Sequence, residues 1–110
     1  MNKLFHGRIY SSPFNSSSQC SHVDIYTLVD GTSEFYGDHL VDSVNSIEEY
    51  QQFREQEKDI YYGVYGIFSP QLMKKAYLFG KFDDLDQAIK MAQELMRNTD
   101  IEDLTRKYIE

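Results

Sequence analysis

Apolar and polar residues alternate over residues 23–29, where one side of an extended chain carries Val23, Ile25, Thr27 and Val29. A period of two is typical of a β-strand with one buried face. Asp30-Gly31 follows, a dipeptide that permits positive φ in a tight hairpin turn, so we expect a partner strand near residues 33–40. A shorter apolar stretch at residues 4–10 predicts a further strand.

The spacing changes to that of a helix after Ser46, which has Glu49 three residues on. Ser-x-x-Glu is a capping box, in which the two side chains satisfy the open amides at a helix start. One apolar stripe follows, formed by Ile47, Tyr50 and Phe53. The pattern predicts a helix that ends near Glu57.

A second amphipathic helix is predicted over residues 84–97, with Asp84 as its N-cap. Its apolar positions recur at helical spacing: Leu85, Ala88, Ile89, Ala92, Leu95 and Met96. This stripe is expected to pack on a sheet, and Asn98 is expected to cap the C-terminal end.

Two strands are predicted between these helices. Residues 60–68 are β-branched and aromatic on both faces, which suits a strand in the middle of a sheet. Residues 72–82 resume after a Ser-Pro-Gln break, and strict alternation would divide them into two sides. One side would carry Ala76, Leu78 and Phe82, and the other Lys75, Tyr77, Phe79 and Lys81.

These elements predict a single α+β domain over residues 1–110, an antiparallel sheet of four to five strands with two to three helices packed on one face. A ferredoxin-like split βαβ order is the alternative topology, with the helix after Ser46 as a crossover. Residues 100–103 are expected to start a last short helix, although residues 105–109 would also serve as an edge strand. Residues 11–21 form a polar, flexible loop in this prediction.

Composition supports a folded domain, since 41% of the residues are hydrophobic and 15% are aromatic. The chain has a single cysteine, and its start lacks the apolar run of a signal peptide. A cytoplasmic, reducing location is therefore expected. No stretch approaches the roughly 18 uninterrupted apolar residues of a membrane span, so no membrane partner is expected.

Charge is distributed unevenly along the chain. The net charge is −7, yet residues 61–82 hold lysines and no acidic residue: Lys74, Lys75 and Lys81. An acidic protein is repelled by phosphate backbones and anionic lipids, which makes nucleic acid a less favoured partner. The lysines mark one basic, aromatic strand as a separate surface.

The sequence contains no motif for a metal site, a cofactor or catalysis. Cys20 and His22 stand two apart, with other donors nearby in the chain at His6, Asp24, Asp38 and His39, but the paired spacing of a zinc site is missing. Cys20 lies in the polar loop, which is not the electropositive setting of a reactive thiolate. Acidic pairs at the predicted helix starts complement helix dipoles. The prediction is that the protein has no catalytic residue, cofactor or metal and is not an enzyme.

The basic strand nevertheless resembles part of the RNA recognition motif. Lys75, Tyr77, Phe79 and Phe82 fall where that family places basic and aromatic positions on its third strand, and a helix with Ala88-Ile89 follows, as it does there. Ile25-Tyr26 matches the family's first-strand signature only loosely. The resemblance covers about 25 residues and implies single-stranded nucleic-acid binding by residues 74–82.

The favoured hypothesis is non-catalytic binding of another protein, as an inhibitor, an adaptor or a nucleic-acid mimic, in the manner of small accessory proteins of mobile elements. Excess aromatics and acidity support it, because aromatic side chains give large contact area at low entropic cost. The candidate contact residues are Tyr61, Tyr62, Tyr65, Lys75, Tyr77, Phe79, Lys81, Glu48, Glu49 and Glu55. A homodimer is a further option for the partner. A single-strand nucleic-acid binder, and a small-molecule-binding domain or enzyme without a recognisable motif, are the alternatives.

Overall fold

The computed structural model describes residues 3–12, 20–29, 44, 46–68 and 75–105. The strands in these ranges are Gly7–Tyr10 (β1), Cys20–Val29 (β2), Ile60–Phe68 (β3), Lys75–Phe82 (β4) and Glu102–Asp103 (β5). The helices are Ile47–Glu55 (α1) and Leu85–Met96 (α2). The predicted α+β class is confirmed.

The strands form one five-stranded sheet in the order β4-β3-β2-β1-β5. Each neighbouring pair is antiparallel. Strands β1 to β4 follow the chain as a meander, and α2 returns the chain to the far edge, where β5 pairs with β1. A split βαβ order needs parallel strands joined by a crossover helix. Helix α1 instead joins the antiparallel neighbours β2 and β3, so that alternative topology is not the one found.

The main core lies between α2 and one face of the sheet. The helix contributes Leu85, Ala88, Ala92 and Met96, and the strands contribute Ile9, Val23, Ile25, Tyr62 and Val64, all buried. The helical stripe and the alternation along β2 predicted this face, because burying apolar surface on one side sets both periods. Leu95 was assigned to the stripe wrongly, since it is 37% exposed at the margin of the buried face. The N-cap prediction is also confirmed, since the Asp84 carboxylate accepts a hydrogen bond from the Asp86 amide at 3.2 Å.

Helix α2 lies across the sheet and contacts its strands from β4 to β1. Near the β4 edge, the Met91 sulfur approaches the backbone of Gly80, where an added Cβ would lie 3.2 Å from it. At the other end, the Met96 carbonyl accepts a hydrogen bond from the Ser12 amide at 3.1 Å, and the Asn98 side chain donates to the Tyr10 carbonyl at 2.9 Å. The C-terminal end of α2 is therefore joined to the end of β1.

Helix α1 packs at the end of the sheet through two aromatic side chains. Tyr50 and Phe53 contact the small buried cluster of Leu4, Val29 and Val44. The predicted N-cap is present, because the Ser46 hydroxyl accepts a hydrogen bond from the Glu49 amide at 3.1 Å, which is the Ser46 half of a capping box. No residue of α1 is fully buried, so this helix contributes less to the core than α2.

An irregularity in β4 corrects the predicted division of that strand. Phe82 and Gly80 lie opposite Tyr62 and Val64, but the register then shifts, so that Leu78 lies opposite Tyr65 and Tyr77 opposite Gly66. Residues that face each other across a ladder point to the same side of the sheet. Leu78 and Phe82 therefore lie on opposite sides. The alternation failed because one additional residue, Phe79, interrupts the pairing, as in a β-bulge.

The ends of three predicted segments also differ. Arg97 takes the left-handed conformation, with φ of 49°, at the end of α2, one residue before the predicted cap Asn98. Glu102–Asp103 pairs with β1 as a strand where a helix start was expected, since open backbone groups at the β1 edge favour pairing. The end of the polar loop, at Cys20 and Ser21, belongs to β2. Residues 13–19, the turn at residues 30–31 and the strand expected at residues 33–40 lie outside the described part.

Arg97→Gly should stabilise the protein. Glycine adopts positive φ without the steric penalty of a Cβ atom. We expect the free energy of unfolding to rise by about 0.5–1 kcal/mol, the left-handed penalty less the added entropy of the unfolded chain. Arg97→Ala is the matched control, because it removes the same exposed side chain and keeps the Cβ atom. Equal effects of both variants in chemical denaturation would contradict the strain at this position.

Candidate functional site

Three consecutive large apolar side chains are exposed on β4: Tyr77 at 52%, Leu78 at 41% and Phe79 at 39%. We call these residues the β4 surface. Because β4 is the terminal strand of the described sheet, the surface runs along an edge. The register puts Tyr77 on the α2 side and Leu78 on the opposite side. Apolar area is therefore exposed on both sides of one edge strand.

The Phe79 ring packs over a glycine on the neighbouring strand. A Cβ atom at Gly66 would lie 2.1 Å from Phe79 Cε2, so the ring occupies the space that a side chain there would need. An aromatic ring placed over a cross-strand glycine shields the backbone beneath it. Phe79 is therefore partly structural, and Tyr77 and Leu78 are the more exposed side chains.

Lys81 lies on the side of the sheet away from α2, opposite Gly63. Its ammonium nitrogen stands 5.2 Å from the centroid of the Tyr61 ring, within the range of a cation–π contact. The set predicted from alternation is thus divided, with Tyr77 and Phe79 on the α2 side and Lys81 on the other. Position 75 belongs to β4, but the Lys75 side chain lies outside the described part.

Two of the candidate tyrosines are core residues. Tyr62 is fully buried and Tyr65 is 2% exposed. The Tyr62 hydroxyl donates to the Lys3 carbonyl and accepts from the Lys3 amide at 2.9 Å, and burial raises the pKa of this hydroxyl well above its usual range. The Tyr65 ring packs edge-on against Tyr26, with 5.9 Å between the centroids. Neither side chain is accessible to a partner in this arrangement.

The candidate acidic residues lie on α1. Glu48 and Glu55 are exposed, and Glu49 is half-buried. Glu48 and Glu49 occupy the first helical turn, where negative charge complements the helix dipole. The structure does not join these residues with the β4 surface into one site.

Sequence reasoning missed a polar cluster on the sheet side away from α2. Arg8 and Asp24 face each other across β1 and β2, with Nε to Oδ1 at 2.8 Å and the second guanidinium nitrogen to Oδ2 at 3.1 Å. The Tyr26 hydroxyl also donates to Asp24 at 2.8 Å. The hydrogen bonds to Asp24 raise the pKa of the Arg8 guanidinium further above its already high value. Asp24 is 1% exposed, so its charge is compensated within the protein.

Ser21, His22 and Asp24 are arranged in the order of a nucleophile, a base and a carboxylate. The Ser21 hydroxyl is 3.0 Å from His22 Nδ1, and His22 Nε2 is 3.7 Å from Asp24 Oδ2. However, the Ser21 hydroxyl also lies 3.0 Å from the Ile67 carbonyl, to which it donates, and Asp24 is already held by Arg8. In this arrangement the Ser21 hydroxyl gives its hydrogen to a backbone carbonyl and not to His22. No group of three or more metal-binding side chains is found within the described ranges.

His6 is a buried titratable residue beside this network. Its Nε2 donates to the Val44 carbonyl at 2.7 Å, and its ring packs edge-on against Tyr26 at 5.4 Å. Burial lowers the pKa of His6 below 6.5, against smaller opposing effects of the Val44 carbonyl, Asp103 and Asp24. The imidazole is therefore kept neutral and joins the segment at residue 44 to the strand edge.

Asp24→Asn should destabilise the protein by about 2–3 kcal/mol, because it leaves the Arg8 guanidinium without its charge partner. Arg8 keeps partial solvent access, with 27% of its side chain exposed, so a larger loss is not expected. Asp100→Asn, an exposed aspartate, is the control and should change the free energy of unfolding by less than about 0.5 kcal/mol. Similar losses for both variants in chemical denaturation would contradict the role of Asp24.

His6→Gln should reduce the dependence of stability on pH. Because the folded pKa of His6 lies below 6.5, unfolding takes up a proton, and the free energy of unfolding falls as the pH drops through 6.5. Glutamine can donate to the Val44 carbonyl but does not titrate. Denaturation at about pH 7.5 and about pH 5.5 should show a smaller stability difference in the variant than in the wild type. Equal differences would show that His6 makes no contribution.

None of the helices in the described part of the chain has the length and apolar character needed to cross a membrane. Comparisons of the chain with protein families, with curated proteins and with solved structures found no match. Function is therefore inferred from the side chains described above.

Proposed function

We propose that the protein works without catalysis, by binding another protein through the β4 surface. The observation that carries this proposal is the exposure of Tyr77, Leu78 and Phe79 side by side on a terminal strand. Monomeric proteins expose large apolar residues mostly as single side chains, and a contiguous exposed patch marks an interaction site. The remaining exposed large apolar residues of the described ranges are not consecutive in the chain: Tyr10, Ile47 and Leu95.

The proposal fits the general properties of edge strands. A terminal strand with apolar side chains favours pairing with another chain, and proteins usually suppress this with charges or bulges. Strand β4 has a register irregularity and carries Lys81 next to its last residue, but these features leave three adjacent apolar side chains exposed. An accessible apolar edge in a protein with net charge −7 is compatible with solubility and specific contact.

The acidic surface is expected to affect how fast the partner binds. Glu48 and Glu55 are exposed on α1, and the chain as a whole is strongly acidic. Charges outside the contact itself mainly change the association rate, and salt screens them over about 8–10 Å. Ionic strength should therefore change mainly the rate at which the partner associates.

Single-strand nucleic-acid binding is less well supported by the arrangement of β4. Stacking platforms combine aromatic side chains with cations that follow the phosphate backbone. Tyr77 and Phe79 lie on the α2 side, whereas Lys81 lies on the other side and contacts the Tyr61 ring. The stacking rings and this cation are therefore not combined on one face.

Leu78→Asp should abolish recovery of the partner when the tagged protein is used for affinity capture from its own host. A charge placed at the centre of an apolar contact should lower the affinity at least tenfold, about 1.4 kcal/mol. Leu95→Asp is the matched control, because Leu95 is a similarly exposed leucine, at 37%, on α2. It should leave recovery of the partner unchanged.

Both protein and nucleic acid should be analysed in each captured sample. Recovery of single-stranded RNA or DNA with no protein, lost at higher salt and lost in Tyr77→Ala, would replace the proposal with the nucleic-acid alternative. Equal recovery of one protein with wild type and Leu78→Asp would place the contact away from β4.

A further inference from the structure

We infer that the β4 surface pairs with the β4 surface of a second copy of this chain, edge to edge and antiparallel. This inference rests on the proposed function and names the partner for the same surface. The two ends of the strand carry opposite charges, with Lys74-Lys75 before the apolar residues and Asp83-Asp84 after them. Antiparallel pairing of two copies brings each basic end beside an acidic end.

The exposure of the β4 surface favours an edge partner over a partner on one face. Tyr77 lies on the α2 side and Leu78 on the opposite side. A molecule that docks on one face of the sheet would cover only one of these side chains. A strand beside β4 presents side chains to both faces at once and covers both. Because β4 is terminal in the described sheet, the pairing would join two sheets into one.

The side of the sheet to which each residue of β4 belongs restricts the register of this pairing. A twofold axis perpendicular to the sheet keeps each side chain on its own side, so facing residues must lie on the same side. In a regular strand this condition places the axis at a residue. Here Gly80 lies opposite Val64 on the α2 side, and the Phe79 ring covers Gly66 on that same side. Over the whole length of β4, this condition is met with the axis between Phe79 and Gly80.

This register also pairs suitable side chains. Phe79 faces Gly80 of the partner subunit, and Leu78 faces Lys81 of the partner subunit. Tyr77 then faces Phe82 of the partner subunit, both on the α2 side. Position 75, a lysine in the sequence, falls opposite Asp84 of the partner subunit, so positions of opposite charge face each other. Asp84 is still in extended backbone, with φ of −105° and ψ of 124°.

The neighbouring register fails on both criteria. With the axis through Leu78, position 75 would face Lys81 of the partner subunit, which places like charges opposite each other. Position 76 would also pair with Gly80 of the partner subunit. These two positions belong to different sides of the sheet, because position 76 lies opposite Ile67 and Gly80 lies opposite Val64. Both criteria therefore favour the axis between Phe79 and Gly80 over this neighbouring register.

Disulfide trapping tests both the pairing and its register. The variant carries Leu78→Cys and Lys81→Cys in a Cys20→Ser background, so that each new thiol faces the other type in the partner. Facing positions in an antiparallel pair have Cβ atoms about 4.5–5.5 Å apart, close enough for a disulfide after a small adjustment. Mild oxidation should convert most of the protein to a covalent dimer, which a reductant reverses.

The control is Leu78→Cys alone in the same background. Its thiols would lie about 10 Å apart across the proposed axis, too far for a disulfide. We expect at least a tenfold lower yield of covalent dimer. Equal yields from both variants would overturn the register, because they would reflect random collision.

Sedimentation of the unmodified protein tests the pairing without engineered cysteines. We expect a dimer whose population rises with concentration and which Leu78→Asp, but not Leu95→Asp, converts to monomer. A wild-type protein that stays monomeric at its highest soluble concentration would overturn the inference. The proposed function would survive that result if Leu78→Asp still abolished capture of a different protein, and both would fail if it did not.

Discussion

The ion pair between Arg8 and Asp24 is the constraint on which the arrangement of the sheet depends. The two residues face each other across β1 and β2, and Asp24 is almost completely buried. A slip of one residue would strand this carboxylate and would turn Ile9 and Val23 away from α2. The position of β1 in turn determines that of β5, which pairs with Gly7 and Arg8. One buried charge pair thus fixes the register at the centre and, through β1, at one edge.

Glycines determine how the aromatic side chains are placed at the other edge. Gly66 leaves room for the Phe79 ring, and Gly80 leaves room for the Met91 sulfur of α2. Between these two contacts the strand accommodates one additional residue, and the register of β3 and β4 shifts. The shift separates Lys81 from Tyr77 and Phe79 across the sheet. Close approach at two glycines therefore decides which side chains form a common surface.

Much of the fold could be predicted from the sequence because burial sets the periods of its elements. The stripe of α2 and the alternation of β2 report their buried faces directly, and the Ser46 capping box is a local signal. The irregularity at Phe79 has no such signal, because it depends on contacts with Gly66 on another strand. The Asp24 network was missed for a similar reason. The role of a single aspartate within an apolar strand cannot be inferred until the pairing of that strand is known, and here it is the pairing with β1 that brings Arg8 opposite Asp24.

The two edges of the described sheet are protected to different degrees. At one edge, β5 is a two-residue strand formed by exposed Glu102 and Asp103, and short acidic strands of this kind discourage pairing with another chain. At the other edge, β4 is eight residues long and has accessible apolar side chains. The same protein thus protects one edge and leaves the other accessible. A long apolar edge carries a risk of aggregation, so its presence opposite a protected edge supports the proposal that a partner covers it.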